Sequence, residues 1–269
     1  MDKRKYGMKR LFSVCLQICF CMVQTSCAET DVVHNNISAD LIQTSQKILL
    51  AAKRHETTDS LADILNTISI SDLGNQLPDD NHKKAFWINL YNAYTQILLT
   101  KNPGRYQNRA SFFGSRQIRI AGKELSLDDI EHGILRRSKI KWGLGYINKP
   151  FPSQFEKKLR VDTVDYRIHF SLNCGAKSCP PIAFYQPEQL NKQLDIATKT
   201  YLKDESDYQI SENSIYLPAM MSWFRGDFGG KQKMKELLHR INVLAPEQNP
   251  NIKFKKYDWN LFLENYKTD

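Results

Sequence analysis

His82-Lys-Lys-Ala-Phe86-Trp-Ile-Asn89-Leu-Tyr-Asn92-Ala-Tyr-Thr-Gln96-Ile-Leu-Leu-Thr-Lys101 is the longest helix-patterned run in the chain, and Asn102-Pro103-Gly104 closes it with residues that do not continue a helix. Asn89, Asn92 and Gln96 follow one another at +3 and +4, so three amides form one stripe on a helix whose other faces are apolar. Flanked by Phe86, Trp87, Tyr91 and Tyr94, that stripe is expected to be buried or half-buried. A buried amide without a partner costs about 1–3 kcal/mol. The stripe must therefore tie down loop backbone or orient a catalytic group, and Asn89 and Asn92 are taken as candidate binding residues.

Around this helix, residues 38–53 and 60–68 show helical spacing, as do 187–203 and 231–243. Residues 117–121 resemble a short strand running into the Gly122 turn. Ser126 caps a helix through residue 137, with Asp129 as its capping-box partner. Residues 166–172 read as a buried strand, 208–217 as a hairpin, 251–256 as a last strand and 258–266 as a C-terminal aromatic helix. The sum is a helix-rich α+β fold with few, short strands, in one domain over residues 36–269.

The first 27 residues have the layout of an export signal: five basic residues, an apolar run over 11–23, then small residues around Ser26-Cys27-Ala28. The apolar run is too short to span a bilayer comfortably. Thr25-Ser26-Cys27 resembles a lipoprotein signal that would acylate Cys27, while Ser26-Cys27-Ala28 also fits ordinary cleavage, leaving a periplasmic or secreted protein. Residues 28–35 would then be a polar tether, and a lipid on Cys27 would hold the protein at the membrane of a bacterial cell envelope. Removing residues 1–26 takes five basic residues and one acidic residue away, and lowers the formal charge from +9 to +5. What remains is interspersed, and no aromatic-interleaved basic motif marks nucleic acid.

Four of the six cysteines lie in that leader, which leaves Cys174 and Cys179 as the thiols of the folded body. They sit in Asp165-Tyr-Arg-Ile-His169-Phe-Ser-Leu-Asn173-Cys174-Gly-Ala-Lys-Ser-Cys179-Pro-Pro181, where a strand-like run breaks into a Gly/Pro loop. Three chemistries are open. A disulfide would close the Gly-Ala-Lys-Ser loop in an oxidising compartment. A metal site on His169, Cys174 and Cys179 lacks a familiar spacing and an evident fourth ligand. A Cys174 nucleophile needs a base, with His169 and His132 as candidates, and oxyanion donors such as the Gly175 and Ala176 amides. Glu131 falls inside the apolar arc of its helix, so it is expected to be mostly buried and hydrogen-bonded to loop backbone or to an arginine such as Arg160 or Arg167. Asp227-Phe228-Gly229 spells a kinase triplet without the accompanying kinase motifs, and Gly143-x-Gly145 lacks a strand-then-helix setting; both are discounted.

Three blocks in order, Ala85-Phe-Trp-Ile-Asn89-Leu-Tyr-Asn92-Ala-Tyr-Thr95, Leu125-Ser-Leu-Asp-Asp-Ile-Glu131-His132-Gly-Ile-Leu-Arg136 and the run from Arg167 to Pro181, resemble domain-of-unknown-function family 547. Ser222-Trp-Phe-Arg-Gly-Asp227-Phe228 and Tyr257-Asp-Trp259 also fit, extending the resemblance over about residues 80–265. It implies a domain that also occurs without export signals, which argues against a disulfide essential to folding. It also invites a cysteine-peptidase-like fold or another thiol-based activity.

The functional expectation is a thiol-dependent hydrolase or acyl transferase acting on a peptide-like or other amide or ester substrate. Cys174 would attack, His132 or His169 would accept its proton, and Glu131 or Asn92 would orient that base. Asn89, Asn173, Arg167 and Cys179 would complete the binding surface, and no cofactor is called for. The alternative is a non-catalytic binding or assembly module for a peptide-like or small-molecule ligand, in which the same residues pin loops around a groove.

Overall fold

Residues 40–268 are described by the structure, a computed structural model. The expected export signal, Cys27 and the expected tether lie outside the described residues. Asp40 caps α1 (Leu41–Lys53) by accepting the Gln43 N–H, and α1 packs along α4 (Asp80–Lys101). Asp79 caps α4 in the same way. Phe86, Trp87, Ile88 and Leu90 are all fully buried on consecutive faces of α4, as befits a helix enclosed on every side rather than an amphipathic surface helix. Between these two run α2 (Asp59–Thr67) and α3 (Ile70–Gln76). The expected helices at 38–53, 60–68 and 82–101 are present with bounds shifted by a few residues.

After α5 (Arg109–Gly114), the chain forms a two-stranded hairpin of β1 (Ile118–Ile120) and β2 (Lys123–Leu125). Ala121 and Gly122 both take positive φ in its two-residue turn, and their N–H groups donate to the carbonyls of Leu65 and Asn66 at the end of α2. Short α6 (Gln154–Leu159) precedes α7 (Leu190–Glu205). A three-stranded sheet then pairs β3 (Asp207–Gln209) antiparallel with β4 (Ser214–Leu217), and β4 parallel with β5 (Asn251–Phe254). Helices α8 (Met220–Trp223) and α9 (Gly230–Arg240) lie between β4 and β5 in the chain. The fold is thus a helix-rich α+β domain with short strands.

Two apolar clusters build the interior. The larger surrounds α4 and α1, and the smaller joins the three-stranded sheet to α8 and α9. Among the described residues, no helix is long and apolar enough to cross a membrane.

Two expected elements differ. Residues 166–172 are not a strand: Tyr166–Phe170 form a 3-10 turn capped by the Asp165 carboxylate, which accepts the Arg167 N–H. A strand needs a ladder partner, and here Asn92 of α4 takes Ser171 C=O and Asn173 N–H, backbone groups that a neighbouring strand would otherwise bond. The C-terminal stretch 258–266 is not a helix either. It runs as an extended strap, with Phe262 donating to Gly175, Lys177 to Asn260 and Ile182 to Asn265. Its hydrogen bonds are therefore spent on the cysteine loop instead of within a helix.

Candidate functional site

A cleft of about 280 Å³ opens where the two apolar clusters meet. Phe113, Leu172, Met220, Trp223, Phe224 and Trp259 give it apolar walls, while Tyr91, Glu131, His132, His169, Cys174 and Tyr257 supply polar atoms. Asp128 and Lys141, ion-paired to each other at 2.9 Å, complete the lining. Trp223 and Trp259 stack nearly parallel at 5.4 Å, and Tyr257 tilts against both.

The segment carrying Glu131 and His132 is wider than an α-helix. Asp129–Leu135 form a π-helix in which Arg136 N–H donates to Glu131 C=O and Ser138 N–H to Gly133 C=O, five residues back in each case. Its start is the expected capping box: Asp129 N–H donates to Ser126 Oγ, and Ser126 N–H to the Asp129 carboxylate. The extra residue per turn lets Ile130, Ile134 and Leu135 stay in the core while His132 and Arg136 are buried too. Glu131 keeps 13% side-chain exposure and accepts from the Tyr91 hydroxyl at 3.2 Å. Burial and the neighbouring carboxylates Glu131 and Asp128 hold the Tyr91 hydroxyl well above its usual pKa, so it remains a donor.

The expected arginine partner of Glu131 is therefore replaced by a tyrosine. Arg160 bonds Ser138 Oγ, and Arg167 bonds Asp165, Asp195 and Asn191 on another face of the molecule. Burial and the adjacent Arg136 cation push the His132 pKa down to about 3, so the ring is neutral. Arg136 donates to its Nδ1 at 3.0 Å, which leaves the hydrogen on Nε2, 3.5 Å from the Asp128 carboxylate.

Below the histidines lies Asp227, whose side chain is fully buried. Its Oδ2 accepts from Arg136 Nε at 2.6 Å and pairs with His169 Nε2 at 2.9 Å. Burial alone would raise this carboxyl, but the bonds from His169 and Arg136 outweigh it and hold the pKa below the ordinary carboxylate value. Facing an ionised carboxylate, His169 Nε2 carries the hydrogen. The His169 ring stacks on Phe224 at 4.2 Å, and the Arg136 guanidinium also lies over that ring. Gly145 presses its backbone on this knot; an added Cβ would come within 2.6 Å of Asp227 Oδ1, and its φ of +84° suits glycine.

Cys174 and Cys179 are paired as a disulfide, the first of the three chemistries open in the sequence. In this state Cys174 carries no free thiol. It borders the cleft, and neither histidine is hydrogen-bonded to it; the polar group against both sulfurs is the Tyr257 hydroxyl, at 3.2 Å from each. Among the described residues, no group of three or more His, Cys, Asp or Glu side chains is placed to hold a metal ion.

The amide residues build the site without entering it. Asn89 bonds Ser45 Oγ and both backbone groups of Tyr185, while Asn92 bonds Ser171 C=O and Asn173 N–H. Gln96 accepts from Glu264 N–H in the strap. Asn173 spans its own loop, from Gly175 N–H to Pro180 C=O. Asn89, Asn92 and Asn173, expected to bind ligand, are fully buried and bind chain. Cys174, His169, His132 and Glu131 all line the cleft. Missed from sequence were Tyr91, Arg136, Trp223, Phe224, Asp227, Tyr257 and Trp259 as a set. The usable signal was an acid inside the aromatic run Ser222–Phe228, a run that resembled the family but from which no site residue was taken.

Residues 75–202 match the family model described as "Protein of unknown function, DUF547". No curated protein and no solved structure matches the chain. The family match ends within α7, whereas Trp223, Phe224, Asp227, Tyr257 and Trp259 all lie beyond it. One wall of the cleft and the carboxylate beneath it come from outside the matched stretch.

Proposed function

We propose that this domain is a binding module for a peptide-like ligand, held in the aromatic cleft beside a closed Cys174–Cys179 loop. The observation that carries the proposal is a cleft with stacked tryptophans on one wall and acceptor oxygens of Glu131 on another, over histidines that are already hydrogen-bonded. An apolar side chain would lie on Trp223 and Trp259 while a main-chain N–H donates to Glu131. Titration with short phenylalanine-containing peptide amides should change tryptophan fluorescence saturably in the wild type, and Trp223→Ala should abolish the change. No saturable response to aromatic or aliphatic peptides would remove this proposal.

A thiol-dependent hydrolase or acyl transferase is the second reading, favoured by the convergence of Cys174, His132, His169 and Glu131 on one cleft. It requires reduction of the disulfide and a shift of one imidazole. Native protein treated with reductant should then cleave peptide or ester substrates; inactivity in both redox states counts against it.

We also infer export to a bacterial cell envelope through residues 1–27 with acylation at Cys27. Metabolic labelling with palmitate should mark the wild type and not Cys27→Ala, and equal labelling of both would refute the anchor.

A further inference from the structure

The two sulfurs of the cleft are unequal. Cys174 is partly exposed and borders the cleft, whereas Cys179 is only 4% exposed and backs onto a second, mainly apolar cavity beside α7 and the strap. Cys179 Sγ accepts the Cys174 backbone N–H at 3.0 Å and has the Tyr257 hydroxyl at 3.2 Å. Burial raises the Tyr257 pKa far above its usual value, so this hydroxyl stays protonated and able to donate. The Tyr257 hydroxyl lies 3.2 Å from Cys174 Sγ as well, so it can follow the charge to either sulfur, and the Cys174 N–H is the donor that singles out Cys179, where both would stabilise negative charge.

The loop does not depend on the bond between its ends. Lys177 N–H donates to Asn260, Phe262 N–H to Gly175, Asp258 N–H to Ser178 Oγ and Tyr201 Oη to Ser178 C=O, and Asn173 spans the loop from inside. With the sulfurs separated, these contacts would still hold both cysteines where they are. An accessible sulfur, a buried partner poised to carry charge and a frame that tolerates opening are what exchange chemistry needs, beyond what a purely structural cross-link would require.

We propose that Cys174–Cys179 is a thiol–disulfide exchange site that oxidises dithiol peptides bound in the cleft, a proposal that rests on the binding of peptide-like ligands there. A substrate thiolate attacks Cys174 Sγ from the cleft. A bond forms between substrate sulfur and Cys174, the Cys174–Cys179 bond breaks, and its electron pair leaves on Cys179 as a thiolate held by the Cys174 N–H and Tyr257. The substrate's second thiolate then attacks its own sulfur in the mixed disulfide, forming the substrate disulfide and releasing Cys174 as thiolate. Two electrons pass from the dithiol to the protein, and the two substrate protons finish on Cys174 and Cys179. One turnover needs no other reactant.

The native full-length protein is incubated with a short phenylalanine-containing peptide carrying two cysteines, and separately with reduced glutathione, then quenched with iodoacetamide and mapped by mass spectrometry. One equivalent of oxidised peptide should form per chain, with adducts on Cys174 and not Cys179. Tyr257→Phe should slow exchange about tenfold, the scale of one lost hydrogen bond to a charged sulfur. Mapping in the wild type stands without any variant. A disulfide that opens only after denaturation, or an adduct on Cys179, overturns the proposal. The same peptide with serines in place of cysteines reads binding alone. If it fails to bind while glutathione still attacks Cys174, peptide binding falls and exchange stands; if it binds and the disulfide stays shut, exchange falls alone.

Discussion

The inner face of α4 and the floor of the cleft are both polar and both nearly dry, yet they are built on different principles. On α4, neutral amides meet backbone groups: Asn89 with Tyr185, and Asn92 with Ser171 and Asn173. Each pair is satisfied locally, and nothing of it faces the cleft. On the floor, charges meet charges: Arg136 and His169 share one oxygen of Asp227, and Arg136 reaches on to His132. Here the buried groups end in two imidazoles that line open space. Neutral amides position chain, while the charged knot positions side chains that a ligand can touch.

Removing charge from the knot should therefore cost more than removing an amide from the stripe. Asp227→Ala leaves Arg136 fully buried without its carboxylate, and breaking such a pair from one side costs about 3–5 kcal/mol. Urea unfolding should show that loss, with Asp227→Asn intermediate because it keeps the shape and a hydrogen-bond acceptor. A loss below 1 kcal/mol for Asp227→Ala would mean that the knot is not a structural centre, and the contrast with α4 would collapse.

Asn92→Ala is the matching change on the amide face. It strips partners from Ser171 C=O and Asn173 N–H in a sealed interior, with an expected cost of about 2–3 kcal/mol. The response should be local as well as global. Amide hydrogen exchange should rise at Asn173 and along the cysteine loop, because Asn92 stands in for the absent strand neighbour. Unchanged protection there would show that the strap alone holds the loop.

The two regions also differ in how far they could be read in advance. The amide stripe was legible because its partners need no identity: three amides at helical spacing must find backbone, whichever loop passes. The capping box at Ser126 and the burial of Glu131 were legible for the same local reason. Glu131's partner was not, because a hydroxyl from Tyr91 on another helix leaves no trace in spacing. Asp227 escaped since its partners, Arg136 and His169, lie 91 and 58 residues away in the chain. The strand expected over 166–172 and the helix expected over 258–266 failed together, as local propensity in each lost to the bonds that Asn92 and the cysteine loop offered.

The smallest expected effect concerns the histidine where the knot meets the cleft. Burial, with the Arg136 and Lys141 cations, depresses the His132 pKa to about 3, against the opposing pull of Asp128. The unfolded chain takes up this proton near pH 6.5, and the native protein does not until far lower. His132 thus favours the folded state fully above pH 6.5, and that contribution is lost as pH falls toward 3. Between pH 6.5 and 5.5 the loss should be about 1 kcal/mol from this residue. Asp165 and Asp227, both depressed, titrate below that window and do not blur it. Comparing denaturant midpoints of wild type and His132→Gln across the window isolates the contribution, because every other ionisable group is common to both proteins. The wild-type slope should exceed the variant's by up to one proton. Equal slopes would mean that His132 already carries its proton in the native state, which would require Asp128 and Glu131 to outweigh Arg136 and would make the imidazole at the cleft a cation.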